Sequence, residues 1–280
     1  QTCRQSGLSL IYTELLDFGG DEIYFHAEPK LVGKSFGEAL LAFEESAVLG
    51  LHRLGSAPQL NPPIDTRIET GDRLIIISED DDTIRVRGAQ DMAINPSVIE
   101  LREPTAPTPE RTLILGWNWR GPAIINELDH YVAPNSIVTV VANDEAAKEA
   151  IDQQCVDLTQ QTVTFQTGET TDRRTLDALK IETYKHVILL CYSDTLSAEQ
   201  ADAQTLITLL HLRDIASHTE QRFSVVSEML DTRNRTLAEV THADDFIVSD
   251  KLVSLILSQV SENKELNAVF TDLFDPDGSE

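Results

Sequence analysis

Gly116, Asn118 and Gly121 stand at the spacing of the glycines in G-x-G-x-x-G, the turn that brings a pyrophosphate up to a helix N-terminus. They lie between an apolar run, Leu113 to Leu115, and a helical pattern carrying Ile124, Ile125 and Leu128, with a second apolar run at Ile137 to Val141. Strand, turn, helix, strand is the order in which such folds hold a phosphate. The middle position is asparagine, where a pyrophosphate needs a residue without a side chain, and Trp117 and Trp119 add bulk to a turn that should stay open. The acidic residue for a ribose hydroxyl pair is displaced too: Val141 is followed by Ala142 and Asn143 before Asp144. Arg120 could still attract an anion by charge. The turn formed by Gly116, Asn118, Arg120 and Gly121 reads either as a degenerate nucleotide site or as a structural turn; the departures favour the structural turn, and bound NAD(P) is not expected.

A second group with ligand chemistry is Glu79-Asp80-Asp81-Asp82, carboxylates that end a strand-like run and supply the hard oxygen donors Ca²⁺ prefers. Charge runs in turns are more often simply solvated. Asp275-Pro276-Asp277-Gly278 has the opening letters of a calcium loop, with too few residues after it to complete the ligand set. Asp194, Glu199, Asp202, Asp244, Asp245 and Asp250 are further carboxylates that folding or assembly could bring together. Catalytic groupings are absent from the pattern: none of the 7 histidines belongs to an H-E-x-x-H pair, and no cysteine has an activating neighbour. His211 and His218, on or near one helix, read as surface or packing residues. No enzyme is expected.

These residues need elements to hold them. Ser9 to Phe18 has a one-sided helical pattern that Gly19-Gly20 would cap. Glu22 to His26 is strand-like, Ser35 to Phe43 a short helix, and Ala47 to His52 a strand; Asn61-Pro62-Pro63 breaks the chain, and Thr70-Gly71-Asp72 turns it into the β-branched run Arg73 to Ser78. Short strands with one helix make a small α+β lobe. Pro104, Pro107 and Pro109 then mark an extended linker. Beyond it Leu113 to Leu115, Ile137 to Val141, Val163 to Phe165, His186 to Cys191, Phe223 to Val226 and Phe246 to Val248 read as strands alternating with helices. The longest helix is Ala198 to Ile215, with Leu206, Leu209 and Leu210 as its apolar positions. Such alternation predicts an α/β fold with a doubly wound parallel, Rossmann-like sheet. Two helical patterns follow, Leu252 to Val260 and Leu266 to Phe274.

Composition agrees. At 41% hydrophobic and 25% charged residues the chain is an ordinary globular one, and 280 residues suffice for two domains. Lys plus Arg total 22 against 47 Asp plus Glu, a net charge of -25 that repels phosphate backbones, excludes nucleic acid as a partner and attracts cations. Apolar runs such as Val187 to Tyr192 fall well short of the roughly 18 residues a membrane span requires. Gln1 at the start reads as the cut end of something longer. Cys3, Cys155 and Cys191 are an odd count without metal spacing and read as buried reduced thiols, which suits the cytosol.

The stretch Leu31 to Asp82, with LVGKSFGEALLAFEESAVLGLHR and NPPIDTRIETGDRLIIISEDDD, resembles the small C-terminal lobe of an RCK domain, the regulator of potassium conductance of ion channels. GLSLIYTELLDF at Gly7 to Phe18, GDRLIIISEDDDT at Gly71 to Thr83, LHLRDIA at Leu210 to Ala216 and SEMLDTRNRTLAEV at Ser227 to Val240 extend the likeness over nearly the whole chain. It is strongest to the CASTOR and POLLUX channels of plants and their bacterial relatives. The resemblance implies a division into the terminal helix of a preceding RCK N-lobe (1–20), an RCK C-lobe (21–103), a Pro-rich linker (104–110), a second, Rossmann-like N-lobe (111–250) and crossover helices (251–280) that reach a partner subunit. It further implies a gating-ring module on the cytoplasmic face of a membrane, self-associated as a tetramer of tandem RCK units below a pore domain outside this chain, with Ca²⁺ as the ligand sensed. The alternatives are a nucleotide-sensing regulatory subunit of a cation transporter and an NAD(P)-dependent oxidoreductase. The second predicts a bound dinucleotide and a catalytic acid or base, and the rewritten turn and the missing groupings oppose both.

Overall fold

The computed structural model describes residues 8–87, 98, 107–219, 223–231, 233–234, 245–275 and 278. The chain divides into two units, one built mainly from 105–253 and the other from 11–104 together with 254–280.

In the smaller unit, helix α1 (Leu8–Leu16) is followed by β1 (Glu22–His26), the short helix α2 (Phe36–Leu40), β2 (Ala47–His52), β3 (Gln59–Leu60) and β4 (Arg73–Ser78). The strands form an antiparallel sheet in the order β1-β4-β2-β3. The run Leu-Ile-Ile-Ile explains why β4 is central: a strand with neighbours on both sides and cover on both faces has no polar face, and Leu74, Ile75 and Ile76 are all buried. Ser35 starts α2 with a capping box: its hydroxyl accepts from Glu38 N and the Glu38 carboxylate accepts from Ser35 N. The helix stops at Leu40, shorter than the Ser35 to Phe43 pattern predicts, with Phe36 and Ala39 inside the core. Helix α8 (Leu266–Phe274), the last, belongs to this unit and buries Leu266, Val269 and Phe270. Tyr12 and Phe274 meet at 4.9 Å between ring centroids. Gln259, on the preceding helix α7 (Ser249–Glu262), donates to Leu16 O at 3.3 Å and to Glu22 Oε1 at 3.1 Å.

The larger unit alternates β5 (Arg111–Leu115), α3 (Gly121–Asp129), β6 (Ser136–Ala142), α4 (Glu145–Gln154), β7 (Gln161–Thr167), α5 (Arg173–Leu179), β8 (His186–Leu189), α6 (Ala198–Ser217), β9 (Ser224–Met229) and β10 (Asp245–Val248). All strand pairs are parallel, in the order β10-β9-β8-β5-β6-β7, the doubly wound Rossmann-like arrangement the sequence predicts. Successive residues of β5 serve opposite faces: Leu113 and Leu115 pack with Leu176 and Leu209 of α5 and α6, whereas Ile114 packs with Ile125 and Ile151 of α3 and α4. Strand order reverses between β5 and β8. The crevice beyond their C-terminal ends is where such sheets place a ligand, and Gly116 and Cys191 follow those two ends.

The buried stripe of α6 differs from its hydropathy pattern. Leu209 is buried, but its companions are Leu212 and Ile215; Leu206 is partly buried and Leu210 is 53% exposed. Asp202, Thr205 and Thr208 lie on the buried side, so the stripe is rotated away from the one apolar residues alone indicate. Among the described residues, no helix is long and apolar enough to cross a membrane.

Candidate functional site

The turn after β5 occupies the switch point, and its residues are engaged with the protein itself. Gly116 has φ +83°, and a Cβ there would come within 2.1 Å of Leu190 O, so only glycine fits. Trp117 turns inward, 4% exposed, and a Cβ on Gly121 would lie 2.5 Å from its ring. Both glycines of the fingerprint are therefore required by backbone and indole packing.

Asn118, 1% exposed, is the centre of the turn. Its Nδ2 donates to Cys191 O at 2.8 Å and to Glu228 Oε2 at 2.7 Å, while its Oδ1 accepts from Arg120 N at 3.0 Å. Glu228, buried on β9, also accepts from Cys191 N at 3.2 Å and from Arg120 Nη1 at 3.1 Å. Donors suited to a bound anion thus hold a carboxylate of the chain. Trp119 is exposed; its backbone N–H donates to Asp194 Oδ2 at 2.7 Å, and the Arg120 guanidinium stacks 4.5 Å from its ring centroid. Asp144, the displaced acidic residue, accepts from Ala146 N at 2.9 Å and caps α4, and Asn143 N donates to Tyr192 Oη at 3.1 Å. A dinucleotide finds neither an open turn nor an available ribose carboxylate here.

Cys191 lies under the same network, its Sγ 3.1 Å from Glu228 O and 3.3 Å from Thr205 Oγ1. Burial pushes its thiol up to about 12, which makes it an inert packing group. Cys155 is half-buried and also unbridged. Asp202, fully buried, accepts from Leu230 N, Asp231 N and Asn234 Nδ2 at 2.8–3.0 Å and so ties α6 to the segment after β9. Glu228 was not foreseen: the sequence pattern ends the strand at Val226, whereas β9 continues to Met229 and takes this acidic residue in with it. Next to the network, an apolar groove of about 540 Å³ runs between α3 and strands β8 to β10, lined by Ile124, Leu128, Ile188, Val226 and Ile247 and reached by Arg120 and Glu228.

Glu79, Asp80, Asp81 and Asp82 are exposed at the end of β4. The Asp80 side chain accepts from Asp81 N at 2.7 Å and starts a 3-10 turn over Asp81–Thr83. The donors are of the right kind for Ca²⁺, but among the described residues no group of three or more His, Cys, Asp or Glu side chains is placed to hold a metal. Of the other carboxylates, Asp194 and Asp202 are used as described and Glu199 is exposed; Asp244 and Asp277 lie outside the described residues. His211 is half-buried, and the exposed His218 bonds Asp214 O through Nδ1 at 2.7 Å, a surface role as expected. Gly33-Lys34-Ser35-Phe36-Gly37 spells G-x-S-x-G, so the letters of a hydrolase motif are present in the chain. Ser35 there is the cap of α2, bonded to Glu38, and is not a nucleophile on a strand-to-helix elbow.

Residues 1–94 match the family model described as Castor and Pollux, part of voltage-gated ion channel, and 112–250 match the TrkA-N domain. The chain is similar to the probable ion channel POLLUX of Oryza sativa subsp. japonica, 28% identical over 322 residues that cover 100% of this chain and 32% of that protein. It is also similar to the ion channel CASTOR of Lotus japonicus, 28% identical over 317 residues, 100% of this chain and 37% of that protein. The chain thus spans about a third of the length of these relatives, which are ion channels and not enzymes. Among solved structures, the GsuK RCK domain aligns with a TM-score of 0.43 and 18% identity over 95% of this chain and 53% of that one.

Proposed function

From the premise that this chain is a CASTOR/POLLUX-family region carrying a TrkA-N (RCK) domain, we propose that it is a regulatory, gating-ring module of a cation channel whose pore lies elsewhere in the protein. The observation that carries the reading is the closed turn: the lobe keeps the doubly wound sheet and fills the phosphate cradle with Asn118 and Glu228. Such a lobe serves as a rigid body that moves when a ligand binds elsewhere. A ligand shifts its position only by binding one arrangement better than the other.

Self-association at the cytoplasmic face of a membrane, as a tetramer of tandem units, is part of the proposal. The groove beside α3 and the exposed Val253 and Leu257 of α7 support it, since both are apolar surfaces that a second copy would cover. The division of the chain into a C-lobe, a linker, an N-lobe and crossover helices belongs to the same proposal.

Ca²⁺ is the proposed ligand, with Glu79, Asp80, Asp81 and Asp82 as exposed donors. A shell of roughly six to eight oxygens then requires donors from a neighbouring lobe or copy. The test is thermal unfolding of chelator-treated protein during a Ca²⁺ titration, with Mg²⁺, NAD and ADP in parallel. A saturable rise in Tm with Ca²⁺, lost in a Glu79→Gln, Asp81→Asn, Asp82→Asn triple variant, is expected. A rise with NAD or ADP would overturn the closed-turn reading. No response to Ca²⁺ at millimolar concentration would remove Ca²⁺ from the proposal.

A further inference from the structure

In the smaller unit, a buried histidine is locked in one tautomer by a cation. His52, on β2 with a 7% exposed side chain, has Nδ1 2.8 Å from Arg73 Nη2. A guanidinium only donates, so Nδ1 must carry a lone pair; the proton is then on Nε2, which donates to Ser56 O at 3.0 Å. The same Arg73 Nη2 donates to Glu265 Oε1 at 2.6 Å. Glu265 is the residue that opens α8. Phe25 of β1 completes the site, edge-on to the His52 ring at 5.3 Å and beneath the Arg73 guanidinium at 5.2 Å.

We infer that His52 is a proton-sensitive latch: neutral, it holds Arg73 in position to grip Glu265 and the start of α8; protonated, it releases that grip.

The groups facing His52 decide the sign. The charged ones are Arg73 from β4 and Glu265 from α8; β1 contributes the uncharged Phe25, and the turn after β2 a carbonyl, while Arg53 in that turn pairs with Asp72 at 3.7 Å. A proton on Nδ1 removes the acceptor for Arg73 and sets two cations 2.8 Å apart, whereas the Glu265 oxygen is 3.9 Å from Nδ1. Coulomb energy falls as 1/r, so repulsion at the shorter distance outweighs attraction at the longer, and burial of the new charge acts in the same direction. Glu265 stays ionised throughout: its hydrogen bond from Arg73 holds its carboxyl below the usual range. The latch is therefore closed while His52 is neutral and opens when Nδ1 takes a proton. Its effect is local, because the remaining hold on α8 is the burial of Leu266, Val269 and Phe270.

The test is hydrogen–deuterium exchange on the whole chain at about pH 8 and about pH 5.5, expressed as protection relative to the intrinsic rate at each pH. Protection over 266–274 should fall about tenfold at the lower pH while β5 and β6 keep theirs. His52→Gln, uncharged at both values, should remove the difference. The proposal is overturned if 266–274 is equally protected at both pH values, if β5 and β6 loosen in step with it, or if the difference survives in His52→Gln. Should that variant lose its far-UV dichroism, Glu265→Gln gives the same decision: without the shared carboxylate, α8 should be loose to the same extent at both pH values, and a remaining pH difference would overturn the latch.

Discussion

Asn118 and Glu228 show what a rewritten fingerprint demands of single residues. A buried carboxylate is tolerated when its lone pairs find donors, and Glu228 finds them in Asn118, Arg120 and the backbone of Cys191. Asn118→Ala takes a donor from a buried charge and should lower stability by about 2 kcal/mol, read as a reduced urea midpoint at constant m-value. Asn118→Gly, which restores the fingerprint letters, should still give no NAD-dependent rise in Tm, because Trp117 and Glu228 continue to fill the turn. Asp129 offers a pH test in the same unit. Burial pushes its carboxyl upward, but the N–H groups of Thr159, Gln160 and Gln161 and the Thr159 hydroxyl outweigh that and hold it below the ordinary range. A lowered carboxyl stabilises the fold above its unfolded value, near pH 4, and loses that effect as pH falls through the folded value. Asp129→Asn should thus be less stable at pH 7 by about 2 kcal/mol, with the gap closing in acid, as denaturation at several pH values would show. Asn118 was visible in the sequence as a departure from glycine. Its partner was not, since Glu228 is 110 residues away and meets it only because β9 lies beside β8.

At the scale of elements, apolar runs and their alternation with helical patterns were enough to predict the strands from β5 to β10 and the parallel sheet. The face an element buries was less legible. In α6 the pattern favours Leu210, but the chain turns Asp202 inward to bind the backbone after β9, and that rotates Leu210 to the surface. The two leucines should separate on mutation: Leu209→Ala should cost about 3 kcal/mol and Leu210→Ala under about 0.5, measured by chemical denaturation. α2 has the opposite lesson. Its capping box from Ser35 to Glu38 is local and readable, and it fixes the helix start; its early end at Leu40 depends on the fold around it.

For the whole molecule, the dominant quantity is the charge of -25. Copies of such a chain repel one another, and salt screens that repulsion over a Debye length of about 10 Å at 0.1 M. If the groove beside α3 and the exposed face of α7 meet a second copy, association should strengthen from low to high ionic strength, with light scattering as the readout; a mass that falls as salt rises would count against an apolar contact. The sequence made the acidity plain. It could not show the groove, which exists because α3 and α4 cover one face over β5 to β7, while the β8 to β10 half of that face lines an open cleft.

The strand order has a consequence for how the larger unit is made. β5 is the first of its strands to be synthesised, and it pairs on one side with β6 but on the other with β8, which follows roughly seventy residues later. At translation rates of about 5–20 residues per second, this strand waits several seconds on the ribosome with one edge unpaired. For that interval the nascent chain exposes Leu113, Ile114 and Leu115 to other chains, with Glu110 just before the strand as the acidic residue beside them.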